Sequence, residues 1–210
     1  MFVKNRMTVN TISVSPTATL GEARRIMKEH GFEGLPVTDG EHIVGVITMW
    51  DLLEAVAQNC GPDFLETTIV EKVMMKNVVT VNQDEIIEEA AFLMHRHDID
   101  LLPVVDDYDN LVGVISQGDI FNVFVEMLGL MERGTRITVH VADKVGQMAG
   151  MAQIIKNHGV SIASMASFYR DSAPNLRDIV LRLKTDNPKK IVDELRKAGY
   201  RVTHVSQVWE

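Results

Sequence analysis

The chain is poor in cysteine and has no long apolar run, and each of these absences excludes a class of protein. Cys60 is the single cysteine among 210 residues, so no disulfide can form within the chain and a reducing compartment is expected. The longest apolar stretch, VFVEMLGLM, contains Glu126 and is far shorter than the roughly 18 apolar residues that a membrane span requires. The opening residues, MFVKNRMTVNTISVSP, are not typical of a signal peptide. We therefore expect a cytoplasmic protein that has no membrane partner.

Positive charge is also in short supply. The 21 lysines and arginines are outnumbered by 29 acidic residues, which gives a formal net charge of −8, and no basic stripe is present. Binding to a nucleic acid needs clustered cations that neutralise the phosphate backbone. We therefore expect no nucleic-acid partner.

Sequence signatures of catalysis and of metal binding are missing as well. There is no P-loop, dinucleotide glycine fingerprint, zinc-ligand spacing or nucleophile elbow. His95 and His97 are two residues apart in a predicted helix and face different sides, so they are predicted to be surface residues. Cys60 has no partner cysteine and no activating base nearby, which favours a structural thiol. The prediction is a non-enzyme with no catalytic residues, no metal and no catalytic cofactor.

One motif occurs twice in the chain. LPVTD at 35–39 matches LPVVD at 102–106 with an offset of 67, and GVITMWD at 45–51 matches GVISQGD at 113–119 with an offset of 68. One residue has therefore been added in the second copy, between TDGE and DDYDN, where a turn is expected. An insertion at a turn that leaves the flanking matches intact indicates a structural repeat.

Each repeat is predicted to contain the same elements in the order strand, helix, strand, strand, helix. Apolar residues recur at helical spacing in LGEARRIMKEHGF and in IEEAAFLMHRHDI. Thr17 and Asp84 are the expected N-caps of these helices, and Gly31 the expected end of the first. The second helices are expected to begin near Met49 and Gln117. The predicted strands are Ile12–Val14, Leu35–Thr38 and Ile43–Thr48 in the first copy, and Val79–Val81, Leu102–Val105 and Leu111–Ser116 in the second.

The remainder of the chain has a different pattern. It alternates strand, helix, strand, strand, helix, strand from residue 136 onward, which is typical of the ferredoxin-like βαββαβ fold. Pro188 is expected at the first position of the last helix. The predicted fold class is α/β (α+β), with two βαββα repeats packed as a pseudo-twofold pair and a ferredoxin-like domain. The predicted domain bounds are 1–68, 69–133 and 134–210.

The repeated motif allows two interpretations. Thr48 with Asp51, and Ser116 with Asp119, fit a capping box in which a hydroxyl caps a helix and an acid follows at its third position. The same groups could bind a ligand, because a helix N-terminus attracts anions and a carboxylate can accept hydrogen bonds from two sugar hydroxyls. The two roles are compatible with each other.

The paired LPV-x-D and GVI-[ST]-x-x-D segments resemble a tandem pair of CBS domains over about residues 7–130. The resemblance implies a ligand such as AMP, ATP or S-adenosylmethionine between the repeats, and assembly as a homodimer or higher oligomer. It implies that Asp51 and Asp119 hold the ribose and that Thr48 and Ser116 supply hydroxyls. The residues implied around the adenine are Ser13, Val37, Thr80 and Val104.

Two features depart from the common pattern of that family. Positions that are often basic just before the LPV strand are Glu33 and Asp100 here, and carboxylates at these positions would repel a phosphate. The sequence therefore leaves open which adenosyl compound binds, and an adaptor that has lost nucleotide binding is the alternative. Trp50 beside Asp51 could pack over a ligand or fill the core, and the core is the favoured interpretation.

Residues 136–210 resemble an ACT domain through HVADKVGQMAGMAQIIKNHGVSIASM. The resemblance implies a small-metabolite site at the loop containing Asp143 and Gly146, with dimerisation alone as the alternative. CBS repeats followed by an ACT domain resemble the B-type regulatory family of acetoin utilisation. The prediction is thus a regulatory ligand sensor in central carbon metabolism with an unidentified target protein.

Overall fold

A computed structural model describes residues 1–59, 61–170, 173 and 175–208. Cys60 and part of the predicted turn at 170–175 lie outside the described residues. The chain forms two compact units, Met1–Phe121 and Asn122–Glu210. In the part of the chain that the structure describes, no helix is both long and apolar enough to cross a membrane.

The first unit contains the two repeats as far as Phe121, within the last helix of the second repeat, and the predicted order helix, strand, strand, helix is confirmed in both. A short strand β1 (Thr8–Val9) precedes both. The first repeat comprises α1 (Leu20–His30), β2 (Gly34–Asp39), β3 (His42–Thr48), α2 (Met49–Gln58) and a short α3 (Phe64–Thr67). The second comprises β4 (Val81–Asn82), α4 (Ile87–His97), β5 (Leu101–Val105), β6 (Leu111–Ser116) and α5 (Gln117–Met127).

Hairpins of the two repeats are built alike. Strands β2 and β3 pair in antiparallel fashion, as do β5 and β6, and the pairing shifts register after Val37 in the first and after Val104 in the second. The residue inserted in the second repeat lies in the loop from Asp106 to Asn110, as predicted. There one carboxylate oxygen of Asp106 accepts from the backbone N–H of Tyr108 and of Asn110, both at 2.9 Å.

Predictions for the first strand and for the first helix of each repeat need correction. Thr19 caps α1 by accepting from the backbone N–H of Glu22 at 3.1 Å, whereas the predicted cap Thr17 bonds to the hydroxyl of Ser15. Helix α4 begins after Ile86 without a side-chain cap, and the carboxylate of the predicted cap Asp84 pairs with Lys4. The predicted strand Ile12–Val14 is reduced to one bridge between Val14 and Val37, and Val79–Val81 becomes Val81–Asn82.

The two repeats exchange short segments. The segment that comes just before each repeat in sequence pairs with the other repeat. We call residues 2–9 and 69–75 the exchanged segments. In the first, Val3 donates its backbone N–H to the carbonyl of Glu85 and β1 pairs with β6. In the second, Val70 donates to the carbonyl of Ala18 at 2.8 Å. The two repeats are therefore bound to each other through their backbones.

Helices pack on the hairpins through the apolar faces that the sequence predicts. Leu20, Ala23 and Met27 of α1 are buried against β2 and β3, and Gly31 ends the helix in the left-handed conformation at φ 68°. Ile87 and Met94 of α4 are likewise buried in the second repeat. This packing holds the start of α2 and of α5 at the ends of β3 and β6.

The second unit has the predicted ferredoxin-like fold. Its elements are β7 (Gly134–Ala142), α6 (Gln147–Asn157), β8 (Ile162–Tyr169), β9 (Leu176–Leu183), α7 (Lys189–Lys197) and β10 (Arg201–Val208). The strands form an antiparallel sheet in the order β10-β7-β9-β8. One face packs on α6 and α7 through a core that includes Ile137, Leu181 and Leu195. Pro188 lies one position earlier than predicted, at the N-cap of α7.

Candidate functional site

A reciprocal hydrogen-bonded box closes the start of α2. The carboxylate oxygen Oδ2 of Asp51 accepts from the backbone N–H and from the hydroxyl of Thr48, both at 2.7 Å. In return the backbone N–H of Asp51 donates to the hydroxyl oxygen of Thr48 at 3.2 Å. The capping interpretation of this copy of the motif therefore describes its geometry.

The second copy repeats this geometry closely. Oδ2 of Asp119 accepts from the backbone N–H of Ser116 at 2.8 Å and from its hydroxyl at 2.7 Å, and the N–H of Asp119 donates to that hydroxyl at 3.2 Å. In both copies the second carboxylate oxygen, Oδ1, makes no hydrogen bond to any residue that the structure describes. A capped aspartate thus keeps one acceptor oxygen for a ligand, and the cap fixes its orientation.

The helix N-termini offer few donors to a phosphate. The N–H of Met49 donates to the carbonyl of Glu33 at 2.8 Å, and the N–H of Gln117 donates to the carbonyl of Asp100 at 3.0 Å. The side chains of Glu33 and Asp100 are exposed, so two carboxylates lie near the positive ends of these helices. This charge arrangement disfavours a phosphate and tolerates a neutral or cationic ligand.

The residues expected around an adenine are placed unequally. The hydroxyls of Ser13 and Thr38 are 2.8 Å apart. Thr38 lies four residues, or roughly 13 Å, along β2 from the residue that pairs with Thr48. The side chains of Val37 and Val104 are fully buried. These valines can therefore present only their backbone to a ligand. Thr80 is partly buried.

A groove of about 510 Å³ runs along α2 beside Asp51. Its lining includes Phe64 of α3 and Lys72 of the second exchanged segment. Lys72 was missed by sequence reasoning, because only the folded structure brings the linker between the repeats next to the motif. Its ammonium group shares the groove with the carboxylates of Asp51 and Glu54 and can offset only part of their negative charge.

Trp50 does not fill the core, contrary to our expectation. Its side chain is 73% exposed, next to Leu53 and Val56, which are also exposed on α2. The offset of 68 places Phe121 and Phe124 of α5 at the positions of Leu53 and Val56, and both phenylalanines are exposed. We call these residues the apolar faces of α2 and α5. His95 and His97 are exposed at the end of α4, as predicted.

The loop of the second unit that was expected to bind a metabolite is held by an ion pair. Nε of Arg177 lies 2.8 Å from Oδ1 of Asp143, and the guanidinium group also donates to the hydroxyl of Tyr169 at 2.7 Å. The bond to Asp143 is the main cause that raises the pKa of Arg177. An ammonium ligand at Asp143 would compete with this arginine. Gly146 adopts the left-handed conformation at φ 89°, which favours glycine.

The duplicated hairpin-and-helix unit, with its hydroxyl–aspartate box, defines a tandem CBS-domain protein. The family model described as CBS domain matches residues 3–58 and 70–126, and the model described as TTHA0829-like ACT domain matches residues 133–206. The chain belongs to the CBS-domain family and carries a C-terminal ACT domain.

Curated relatives match somewhat more than half of this chain and are much longer. The chain is 35% identical over 124 residues to L-aspartate semialdehyde sulfurtransferase from Methanocaldococcus jannaschii, which covers 58% of this chain and 23% of the relative. It is 37% identical over 112 residues to inosine-5′-monophosphate dehydrogenase from Korarchaeum cryptofilum, covering 53% and 22%. The chain thus spans less than a quarter of the length of these relatives.

Solved structures resemble about three fifths of the chain. An acetoin utilization protein from Vibrio cholerae is 30% identical with a TM-score of 0.55, covering 62% of this chain and 95% of that one. A CBS domain pair in complex with 5′-methylthioadenosine and S-adenosyl-L-methionine is 32% identical with a TM-score of 0.53, covering 59% and 99%. CBSX2 in complex with AMP is 27% identical with a TM-score of 0.52, covering 59% and 96%.

Proposed function

We propose that the protein is a non-enzymatic regulatory sensor that binds an adenosine-containing ligand at its CBS repeats. Asp51 and Asp119 accept hydrogen bonds from the ribose hydroxyls through Oδ1. The observation that carries this proposal is the free Oδ1 on a capped carboxylate, present in both repeats with nearly equal distances. A carboxylate that is already oriented loses little freedom when a ligand binds.

Charge around the motif favours an adenosyl compound without a phosphate chain. The exposed carboxylates of Glu33 and Asp100 lie close to the helix starts and would repel phosphate oxygens. The sulfonium of S-adenosylmethionine would be attracted by the same groups. The expected order of affinity is therefore S-adenosylmethionine, then AMP, then ATP, with Lys72 giving the first repeat the greater tolerance for AMP.

We further propose that the protein is a cytoplasmic homodimer that controls acetoin or other central carbon metabolism through a target protein. Support comes from the apolar faces of α2 and α5 and from the resemblance to the acetoin utilization protein. In this proposal the ACT domain contributes to dimerisation or binds a small metabolite at the loop of Asp143 and Gly146. The domain bounds that we propose are 1–68, 69–133 and 134–210.

Calorimetric titration of S-adenosylmethionine, AMP and ATP tests the sensor proposal. Asp51→Asn and Asp119→Asn remove the negative charge but keep an oxygen for the cap, so the fold is retained and the ligand contact is weakened. We expect each substitution to weaken binding in its own repeat by about tenfold or more, since hydrogen bonds to charged groups are the stronger ones. Asp193→Asn on α7 is the control for a loss of charge.

The alternative is a structural adaptor that binds no nucleotide. The same exposed apolar faces and the acidic Glu33 and Asp100 favour it. Titrations of the wild-type protein that show no heat with any of the three compounds would establish the adaptor. Conversion of a bound nucleotide, detected by chromatography, would contradict the non-enzymatic proposal.

A further inference from the structure

Helices α6 and α7 pack on one face of the sheet of the second unit, and the opposite face carries two arginines opposite each other. Arg136 of β7 pairs in register with Arg182 of β9. Residues that are paired in register on antiparallel strands point to the same face, and like charges in this position repel each other. On the other side of Arg182, β8 presents Ser164.

Arg182 is almost completely buried. Only 4% of its surface is exposed, and its Nε and Nη1 atoms are inaccessible and make no hydrogen bond to any residue that the structure describes. Gly129 lies against this side chain, and a Cβ on that glycine would be 3.4 Å from Cδ of Arg182. A buried guanidinium group is normally paired with acceptors, since leaving charged donors unsatisfied is costly.

Neither of the two acidic residues nearby pairs with Arg182. Asp178 lies four residues along β9, and its Oδ1 is 3.1 Å from Nε2 of His140 but makes no hydrogen bond to a residue that the structure describes. Glu132, in the segment that follows Gly129, is paired with Lys184 at 2.8 Å. Arg136 itself donates to the hydroxyl of Thr138 rather than to a carboxylate. Two guanidinium groups thus lie opposite each other, and neither Asp178 nor Glu132 neutralises Arg182.

The pKa of Arg182 is lowered mainly by burial and to a smaller extent by repulsion from Arg136. Guanidinium groups nevertheless remain charged in proteins. Arg182 is therefore expected to carry its positive charge in the folded unit.

We propose that Arg182 and Arg136 form a binding site for a small oxyanion, a carboxylate or a phosphate group of a metabolite, on the face of the ACT sheet opposite its helices. An anion between the two guanidinium groups separates the two like charges, and it approaches from the side of Arg136 because Nε and Nη1 of Arg182 are inaccessible. Arg136 is only partly buried and gives the anion access from solvent. The site is distinct from the loop of Asp143, because Arg182 lies five residues, or roughly 17 Å, along β9 from Arg177.

Thermal unfolding of the full chain tests this site in three buffers of equal ionic strength, containing sodium chloride, sodium phosphate or sodium succinate. We expect phosphate, succinate or both to raise the unfolding temperature by a few degrees over chloride, because a ligand that binds only the folded state stabilises it. A response to phosphate alone identifies a phosphate site, and a response to succinate alone identifies a carboxylate site. Equal unfolding temperatures in all three buffers would overturn the proposal.

Three substitutions separate the site from a general salt effect. Arg182→Met is expected to abolish the response and to raise the unfolding temperature in chloride, because it removes an uncompensated buried charge. Arg182→Lys keeps the charge but loses the fork, and is expected to weaken the apparent affinity about tenfold or more. Arg201→Gln removes one charge at the other end of the sheet and is expected to keep the full response. A response that survives Arg182→Met would refute the assignment.

A spectroscopic measurement reports on the site directly. The Nε–Hε resonance of Arg182 in a nitrogen-15 NMR spectrum is expected to shift and saturate during the anion titration, which a purely structural arginine would not show. The double variant Asp51→Asn with Asp119→Asn is expected to keep this response, so failure of the adenosine proposal can be told apart from failure of the anion site.

Discussion

The carbonyl oxygen of Thr8 lies only 2.7 Å from the point where a Cβ on Gly113 would be. Thr8 belongs to the first exchanged segment and Gly113 opens the second copy of the repeated motif, and their strands pair directly. Gly45 has the equivalent contact in the first repeat, against Met74 and the carbonyl of Met75. The motif thus requires a glycine at this position, because an exchanged segment lies against the strand where a Cβ would be.

Gly113→Ala is expected to destabilise the first unit by about 1–3 kcal/mol, because a backbone oxygen has to move. Gly45→Ala is expected to have a smaller effect, since the nearest neighbours are the side-chain atoms Sδ and Cγ of Met74 rather than a backbone atom. Urea unfolding curves of both variants measure the difference. Gly118→Ala is the control, because a Cβ there meets only the Ser116 hydroxyl at 3.5 Å. Equal stabilities for Gly113→Ala and Gly118→Ala would contradict the contact.

Ser116→Ala is expected to lower the free energy of unfolding by about 1 kcal/mol, because the start of α5 loses its capping hydroxyl. Ser116→Thr is expected to be nearly neutral, since Thr48 makes the same box in the first repeat. Chemical unfolding checks both values. A loss as large for threonine as for alanine would show that the hydroxyl is not what stabilises this helix.

The carboxyl group of Asp106 is expected to titrate below its ordinary pKa. Hydrogen bonds from the backbone and the side chain of Asn110 are the main causes that lower this pKa. A carboxyl whose pKa is lower in the folded state stabilises the fold above its unfolded pKa, and that contribution is lost as the pH falls through the folded pKa. The β5–β6 loop should therefore loosen in acid.

Asn110→Ala tests the cause of this shift. It removes the side-chain bond and keeps the backbone bond, so the pKa of Asp106 is expected to rise part of the way to its ordinary value. Carboxyl carbon-13 shifts followed over a pH titration measure it. Tyr108→Ala keeps the backbone donor to Asp106 and is expected to leave the pKa low. A similar rise in both variants would point to general loosening of the loop.

Leu53→Glu and Phe121→Glu are expected to convert the proposed homodimer into monomers. Both side chains occupy equivalent positions on the apolar faces, and Phe121 is 68% exposed in the single chain. A charged side chain in the centre of an apolar interface would have to lose its water, which disfavours the dimer. Light scattering after size-exclusion chromatography gives the mass of each variant. Tyr108→Glu, at an exposed loop, is expected to leave the mass unchanged, and a wild-type protein that is already monomeric would exclude the dimer.

Duplication made the second helix of each repeat predictable from sequence. The starts at Met49 and Gln117 were correct because the capping hydroxyl and the acid occur at the same spacing in both copies. The cap of α1 was predicted two residues too early, because Ser15, Thr17 and Thr19 all carry hydroxyls and only the folded turn shows which one is free to cap. Local pattern alone does not decide among neighbouring residues of equal chemistry.

Long-range contacts limited the prediction of the candidate site. Trp50 was placed in the core because a large apolar side chain is usually buried, yet nothing in the helical pattern specifies whether a neighbouring element covers that face. The pairing of Arg136 with Arg182 depends on the register between β7 and β9, which strand periodicity does not determine. Lys72 reaches the groove beside Asp51 only through the exchange of segments.

The exchange also bears on how this protein loses its structure. Because residues 2–9 complete the second repeat and residues 69–75 complete the first, opening either half strips backbone partners from the other. Melting of the pair should accordingly be a single concerted event, and a chain cut after residue 68 should leave two halves that are incomplete when apart. A ligand bound at Asp51 or at Asp119 would consequently protect both halves against heat.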